Sequence, residues 1–141
     1  MSTAVRVAAF LIALSTPTLA TAAGIDVTLH VTGIEQQKGE VFAALYDAAG
    51  WSGDHLISGA HVAVTGADAT LHLTVPSPGR YAIKLFHDLD GTGKLTRNFL
   101  GIPQEPYAFS NNATGSMGPP DFAAAAFDVG AGGAKQEVHL K

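Results

Sequence analysis

The chain contains no cysteine, which removes disulfides, thiolate nucleophiles, cysteine metal ligands and lipid-modified cysteine anchors together. Long apolar runs are missing too. The run Val7 to Leu14 falls far short of the roughly 20 residues a spanning helix needs, so no transmembrane segment is expected. There is no G-x-S-x-G elbow, no H-E-x-x-H helix and no phosphate-binding glycine loop, so the commonest hydrolase, zinc-protease and nucleotide-binding signatures are excluded. Positive charge is scarce, with 8 Lys and Arg against 12 Asp and Glu, and nothing in that balance points to nucleic acid as a partner. No internal repeat and no sustained helical period are visible.

What is present begins with a leader. Arg6, the apolar stretch Val7 to Leu14, Pro17 and the small residues Ala20 to Ala23 form the three-part pattern of a secretory signal peptide, with an A-x-A site that places the cut after Ala22. The expected organisation is a signal peptide at 1–22 and one domain at 23–141, in a periplasmic or secreted protein. Losing Arg6 leaves seven basic and twelve acidic residues, a formal charge of −5. An exported domain without disulfides must be held by side-chain packing alone, or by packing together with a bound ion.

Period-2 alternation then recurs along the chain. Ile25, Val27, Leu29 and Val31 alternate with polar residues; so do Val41, Ala43 and Leu45; Val62 and Val64; Leu71, Leu73 and Val75; and Tyr81, Ile83 and Leu85. Further strands are expected at Ala125 to Val129 and Lys135 to Lys141. About seven short strands divided by turn residues predict an all-β fold, an antiparallel β-sandwich of Ig-like or transthyretin-like kind. A small closed barrel would share the alternation, but one long connection on one side favours the sandwich.

That connection runs from Gly91 to Asp121 and carries Phe99, Ile102, Tyr107, Phe109 and Met117 among Pro, Gly and Asn. Structureless loops of this length are uncommon in compact domains, so its apolar side chains are expected to be buried in an ordered flap over one end of the sandwich. Asp121 is placed to cap a helical turn through Ala124, and Asn111 and Asn112 to adopt left-handed turn conformers.

The segments YAIKLFHDLDGTGKL, NFLGIPQEPYAFSNNATG and GPPDFAAAAFDV together resemble the bacterial exported family catalogued as domain of unknown function 2141. The resemblance covers about Gly24 to Lys141. It implies a periplasmic or secreted β-sandwich and implies no particular activity.

The candidate chemistry gathers at His87 to Leu95. Read as an EF-hand-like turn, Asp88, Asp90 and Thr92 supply side-chain oxygens at positions 1, 3 and 5, Gly93 the turn glycine, Lys94 a backbone carbonyl at position 7 and Leu95 the apolar position 8. Position 12, normally a bidentate Glu, is Phe99, and Lys94 and Arg97 add positive charge. Calcium binding here would be weak, with Kd on the order of 10⁻⁴ to 10⁻³ M. The competing reading is a turn in which Asp88 and Asp90 accept backbone N–H groups. His30, His61, His72 and His87 show no metal-ligand spacing.

Trp51, Tyr107 and Phe109, with His87 beside the turn, form the candidate binding surface, suited to an envelope protein or a glycan; the competing reading has the rings plug the sandwich. The favoured function is a non-catalytic binding or accessory module. The alternatives are a small enzyme using His87 and Asp88, with Glu105 as a further carboxylate, and a structural envelope protein with no ligand.

Overall fold

The computed structural model describes residues 24–53 and 55–141; the expected signal peptide lies outside the described residues. Among the described residues are eight strands, β1 (Ile25–Thr32), β2 (Glu40–Tyr46), β3 (Ser58–Ala63), β4 (Ala69–Val75), β5 (Gly79–Asp88), β6 (Tyr107–Phe109), β7 (Phe127–Val129) and β8 (Ala134–His139), with one short α-helix, α1 (Phe122–Ala125), and a 3-10 turn at Ser110–Asn112. Two sheets face each other. The smaller has the order β4-β1-β8, and the larger the order β3-β2-β5-β6, with β7 continuing the β5 edge where β6 stops.

The alternation explains this arrangement directly. Val27, Leu29 and Val31 of β1 and Leu71, Leu73 and Val75 of β4 turn inward, against Val41, Ala43 and Leu45 of β2 and Ile83 and Leu85 of β5. Alternate positions leave one apolar row per strand, and two facing rows remove each other from water, at about 25 cal/mol for each Å² of apolar surface buried. The all-β sandwich is therefore as expected. Among the described residues, no helix is long and apolar enough to cross a membrane.

Four details depart from expectation. The β1–β8 pair is parallel, while the remaining pairs are antiparallel, because side-chain alternation sets which face is buried and carries no information on strand direction. The third strand starts at Ser58, three residues before its expected start at His61, and ends before Val64. Residues Tyr107–Phe109 form an extra strand within the expected flap. Finally, α1 is the single helical turn foreseen after Asp121, but the Asp121 side chain makes no capping hydrogen bond.

A glycine fixes how the β1–β2 connection meets the end of β5. Gly39 has φ +71°, and a Cβ there would stand 2.0 Å from the Asp88 carbonyl oxygen, so no larger residue fits. That close approach lets the buried His87 ring donate from Nε2 to the Lys38 carbonyl at 2.6 Å.

The outer face of the larger sheet carries its own small apolar pad. Trp51, Ala82 and Ala125 are buried there against Tyr46, Phe109 and Phe122. Trp51 meets those three rings edge-on and donates Nε1–H to the Pro120 carbonyl at 2.9 Å, and its own carbonyl accepts from Lys84 Nζ at 2.6 Å. Ser110, fully buried, donates to the Ala125 carbonyl and accepts from Ile83 N–H. The flap's second half is thus tied down by specific hydrogen bonds. Asn111 and Asn112 take the expected left-handed conformers at φ 59° and 50°.

Candidate functional site

β5 delivers Asp88 at its last residue, and the chain then turns through Gly91 and Gly93, both at positive φ. Asp88 accepts from Gly91 N–H at 3.0 Å and from Gly93 N–H at 2.9 Å. Asp90 accepts from Thr92 N–H and hydroxyl at 3.1 and 2.7 Å and from the Thr96 hydroxyl. The Thr92 hydroxyl also lies 2.9 Å from the Lys94 carbonyl. Those hydroxyl contacts, Thr96 first, lower the Asp90 pKa from 3.8 to about 2. A depressed carboxylate pKa lends stability that is present above the ordinary carboxylate range and is lost as the pH falls through the folded value.

Phe99, at the twelfth position of the turn, points into solvent and is 96 % exposed. The place of the missing glutamate is taken in space by Glu105. Its carboxylate accepts from Leu89 N–H at 2.5 Å, Asp90 N–H at 3.3 Å and Thr96 N–H at 2.9 Å. Oxygens of Asp88, Asp90 and Glu105 all lie within 4.8 Å of one another, with Asp88 and Glu105 buried and Asp90 exposed. The Thr92 hydroxyl contacts both Asp90 and the Lys94 carbonyl, and Glu105 joins the two aspartates from 15 residues beyond Asp90.

The lone pairs decide how much this cluster can do. A carboxylate offers about four acceptor sites; Asp88 receives two donors, Asp90 three and Glu105 three. Backbone and hydroxyl donors together thus consume most of the capacity, and what remains is concentrated on Asp88. The histidines named from the sequence do not converge: His30 pairs with Asp68, His61 with Glu40 and His72 with Asp26, each at the surface, and His87 is buried.

Two members of the expected binding surface lie inside. Trp51 is 7 % exposed and His87 1 %, the first because its indole anchors the outer pad, the second because its ring bonds the Lys38 carbonyl. His87, Asp88 and Glu105 are all buried and each is hydrogen-bonded to the chain's own backbone.

Tyr107 and Phe109 do reach a surface site. They line a groove of about 1070 Å³ on the outer face of the larger sheet. Its floor is an aromatic shelf, with Phe42 stacked on Phe86 at 5.4 Å and on His61 at 5.1 Å, and Tyr107 set edge-on to Phe109 at 5.9 Å. Flap residues Leu95, Leu100 and Ile102 and, from its second half, Met117 form the walls. A smaller cavity of about 460 Å³ lies behind Tyr107, toward His139.

The flap's apolar side chains are thus not buried as expected: Leu100, Ile102, Phe99 and Met117 are all exposed. Local hydrogen bonds hold this part of the flap instead. Asn98 Oδ1 accepts from Leu100 N–H at 2.9 Å and Ile102 N–H at 3.0 Å, and Asn98 N–H donates to the Ile102 carbonyl at 2.9 Å. An ordered loop that keeps large apolar groups in water is a recognised mark of an interaction site.

Residues 29–138, from β1 to β8 and including both the turn and the groove, match the profile of a family described as "Uncharacterized protein conserved in bacteria (DUF2141)". The chain belongs to the DUF2141 family. No curated protein and no solved structure matches it. In this DUF2141 domain the shelf residues Phe42 and Phe86 carried a signal in the sequence. Both fall out of phase with the inward apolar row of their strands, Val41, Ala43 and Leu45 in β2 and Ile83 and Leu85 in β5, so each has to surface on the face opposite the core.

Proposed function

We propose that this protein is an exported, non-catalytic binding module whose ligand seat is the aromatic groove on the outer face of the larger sheet. The observation that carries the reading is the shelf of Phe42, Phe86, Tyr107 and Phe109 left open under an ordered flap that keeps Leu100, Ile102 and Met117 exposed. Concave, mostly apolar sites with few polar groups are the usual form of small-ligand sites. Export to the periplasm or medium is supported by the leader pattern of residues 1–22. The reading is tested by titration with Nile red, a neutral apolar dye. Tyr107→Ser combined with Ile102→Ser should weaken dye binding about tenfold, since each change removes apolar contact area, with the circular dichroism spectrum unchanged. Equal dye affinity in wild type and variant would reject the groove as the seat.

A second reading, weak calcium binding at the turn, is favoured by Glu105, which supplies the carboxylate that Phe99 does not. Three carboxylates whose oxygens lie within 4.8 Å repel one another, and a divalent cation would relieve that repulsion. The occupied lone pairs keep the expected Kd on the order of 10⁻³ M, in the weak extracellular range. At 10 mM calcium, about ten times that Kd, linkage gives about 1.4 kcal/mol, a rise of several degrees in Tm. Melting in calcium, magnesium and chelator should show the rise with calcium, and Asp88→Ala with Asp90→Ala should abolish it. Identical midpoints in chelator and calcium would leave the turn as a purely hydrogen-bonded structure.

A further inference from the structure

The polarity of the groove is one-sided. Among the described residues that line it there is no Asp, Glu, Asn, Gln, Ser or Thr, whereas Lys84, Lys94 and Arg97 are all present. Three of the chain's 8 basic residues meet at one groove although acidic residues outnumber basic ones in the chain as a whole. Lys84 is committed elsewhere: its ammonium bonds the Trp51 carbonyl and lies 4.6 Å from the centres of the Tyr46 and Trp51 rings. Lys94 and Arg97 are exposed on the flap wall. Arg97 spends one N–H on the Gly101 carbonyl at 3.0 Å, and a guanidinium has five. The nearby acidic group Glu40 is held behind His61, at 3.2 Å from Nδ1.

Lysine and arginine are donors with no acceptor capacity. A sugar brings hydroxyl hydrogens and a peptide brings N–H groups, and among the described lining residues the side-chain acceptors for them are His61 and two tyrosine oxygens. A ligand that matches the lining brings acceptors and negative charge at one end and needs nothing polar along its body. Resting on the reading of the groove as the ligand seat, we infer that the ligand is a single-chain amphiphilic anion of the long-chain carboxylate type. Its apolar chain lies along the Phe42, Phe86 and Tyr107 shelf beneath Leu100 and Ile102, and its carboxylate sits at Lys94 and Arg97.

Calorimetric titration of the whole protein with four probes below their micellar concentrations tests this: dodecanoate, dodecanol, dodecyltrimethylammonium and dodecyl maltoside. Dodecanoate should bind about tenfold more tightly than the other three, the size expected of a charge-assisted contact to two partly solvated cations. Lys94→Gln with Arg97→Gln should remove that preference and leave weak dodecanol binding intact, because both side chains are exposed and neither belongs to the core. Raising the salt concentration should reduce the preference in the wild type only. Dodecanol or dodecyl maltoside binding as tightly as dodecanoate, with no change in the double variant, would overturn the anionic assignment while leaving the groove as the seat. Failure of all four probes to bind would overturn both.

Discussion

Glu105→Ala is expected to lower the unfolding free energy by about 2 to 4 kcal/mol, since it strands three backbone donors together. The N–H groups of Leu89, Asp90 and Thr96 all end on this one carboxylate, and each unpaired buried donor costs about 1 to 3 kcal/mol. The total stays below the sum because the turn is partly open and water can replace some of what is lost. Against the roughly 5 to 15 kcal/mol that holds an ordinary domain folded, this is a large fraction. Glu105→Gln should fall between wild type and Glu105→Ala, because an amide keeps one acceptor oxygen and turns two N–H groups toward backbone donors. Urea denaturation provides the measurement, with the exposed Glu35→Ala as a reference expected to stay within about 0.5 kcal/mol. A Glu105→Ala midpoint equal to that of Glu35→Ala would show that the turn holds itself without Glu105.

Leu85→Ala should cost about 2 to 5 kcal/mol in the same assay. Leu85 is 2 % exposed, and its partners across the strands on either side are Ala43 and Ala108. Neighbours that small cannot reach into the space left behind, so the cavity persists and the upper half of the range applies. His72→Ala, on the solvent face of β4 and paired only with Asp26 at 3.4 Å, should change stability by no more than about 0.5 kcal/mol. A greater loss from His72→Ala than from Leu85→Ala would contradict the inward face assigned to β5.

The core was legible because alternation is a local property. Val27, Leu29, Leu71, Leu73, Ile83 and Leu85 each declare their face within four or five residues of chain. β6 was not, since three residues between Pro106 and Ser110 are too few to show any period, and they become a strand only by pairing with Lys84, Leu85 and Phe86. The turn was half legible. Asp88 and Asp90 announce themselves by spacing, whereas Glu105 reaches them only because the intervening chain loops out and returns, and no spacing rule encodes that path. Burial of Phe99 and Met117 was expected on the ground that apolar side chains avoid water. Asn98 and its neighbours satisfy the backbone locally, so this loop has no need of a hydrophobic anchor to stay ordered.

β1 is the central strand of the smaller sheet, and the partner on one of its sides is β8. Thr32 and His139, which face each other across that parallel pair, are 107 residues apart in the chain. The sheet therefore cannot be completed by any growing chain until β8 has been made. β1 can meet β4 early, but it keeps an open hydrogen-bonding edge until the last strand arrives. Closing so long a loop is paid in chain entropy before the contacts return anything, which puts folding in the milliseconds-to-seconds range typical of all-β domains. A polypeptide with that order of events locks only when β1 and β8 lie side by side.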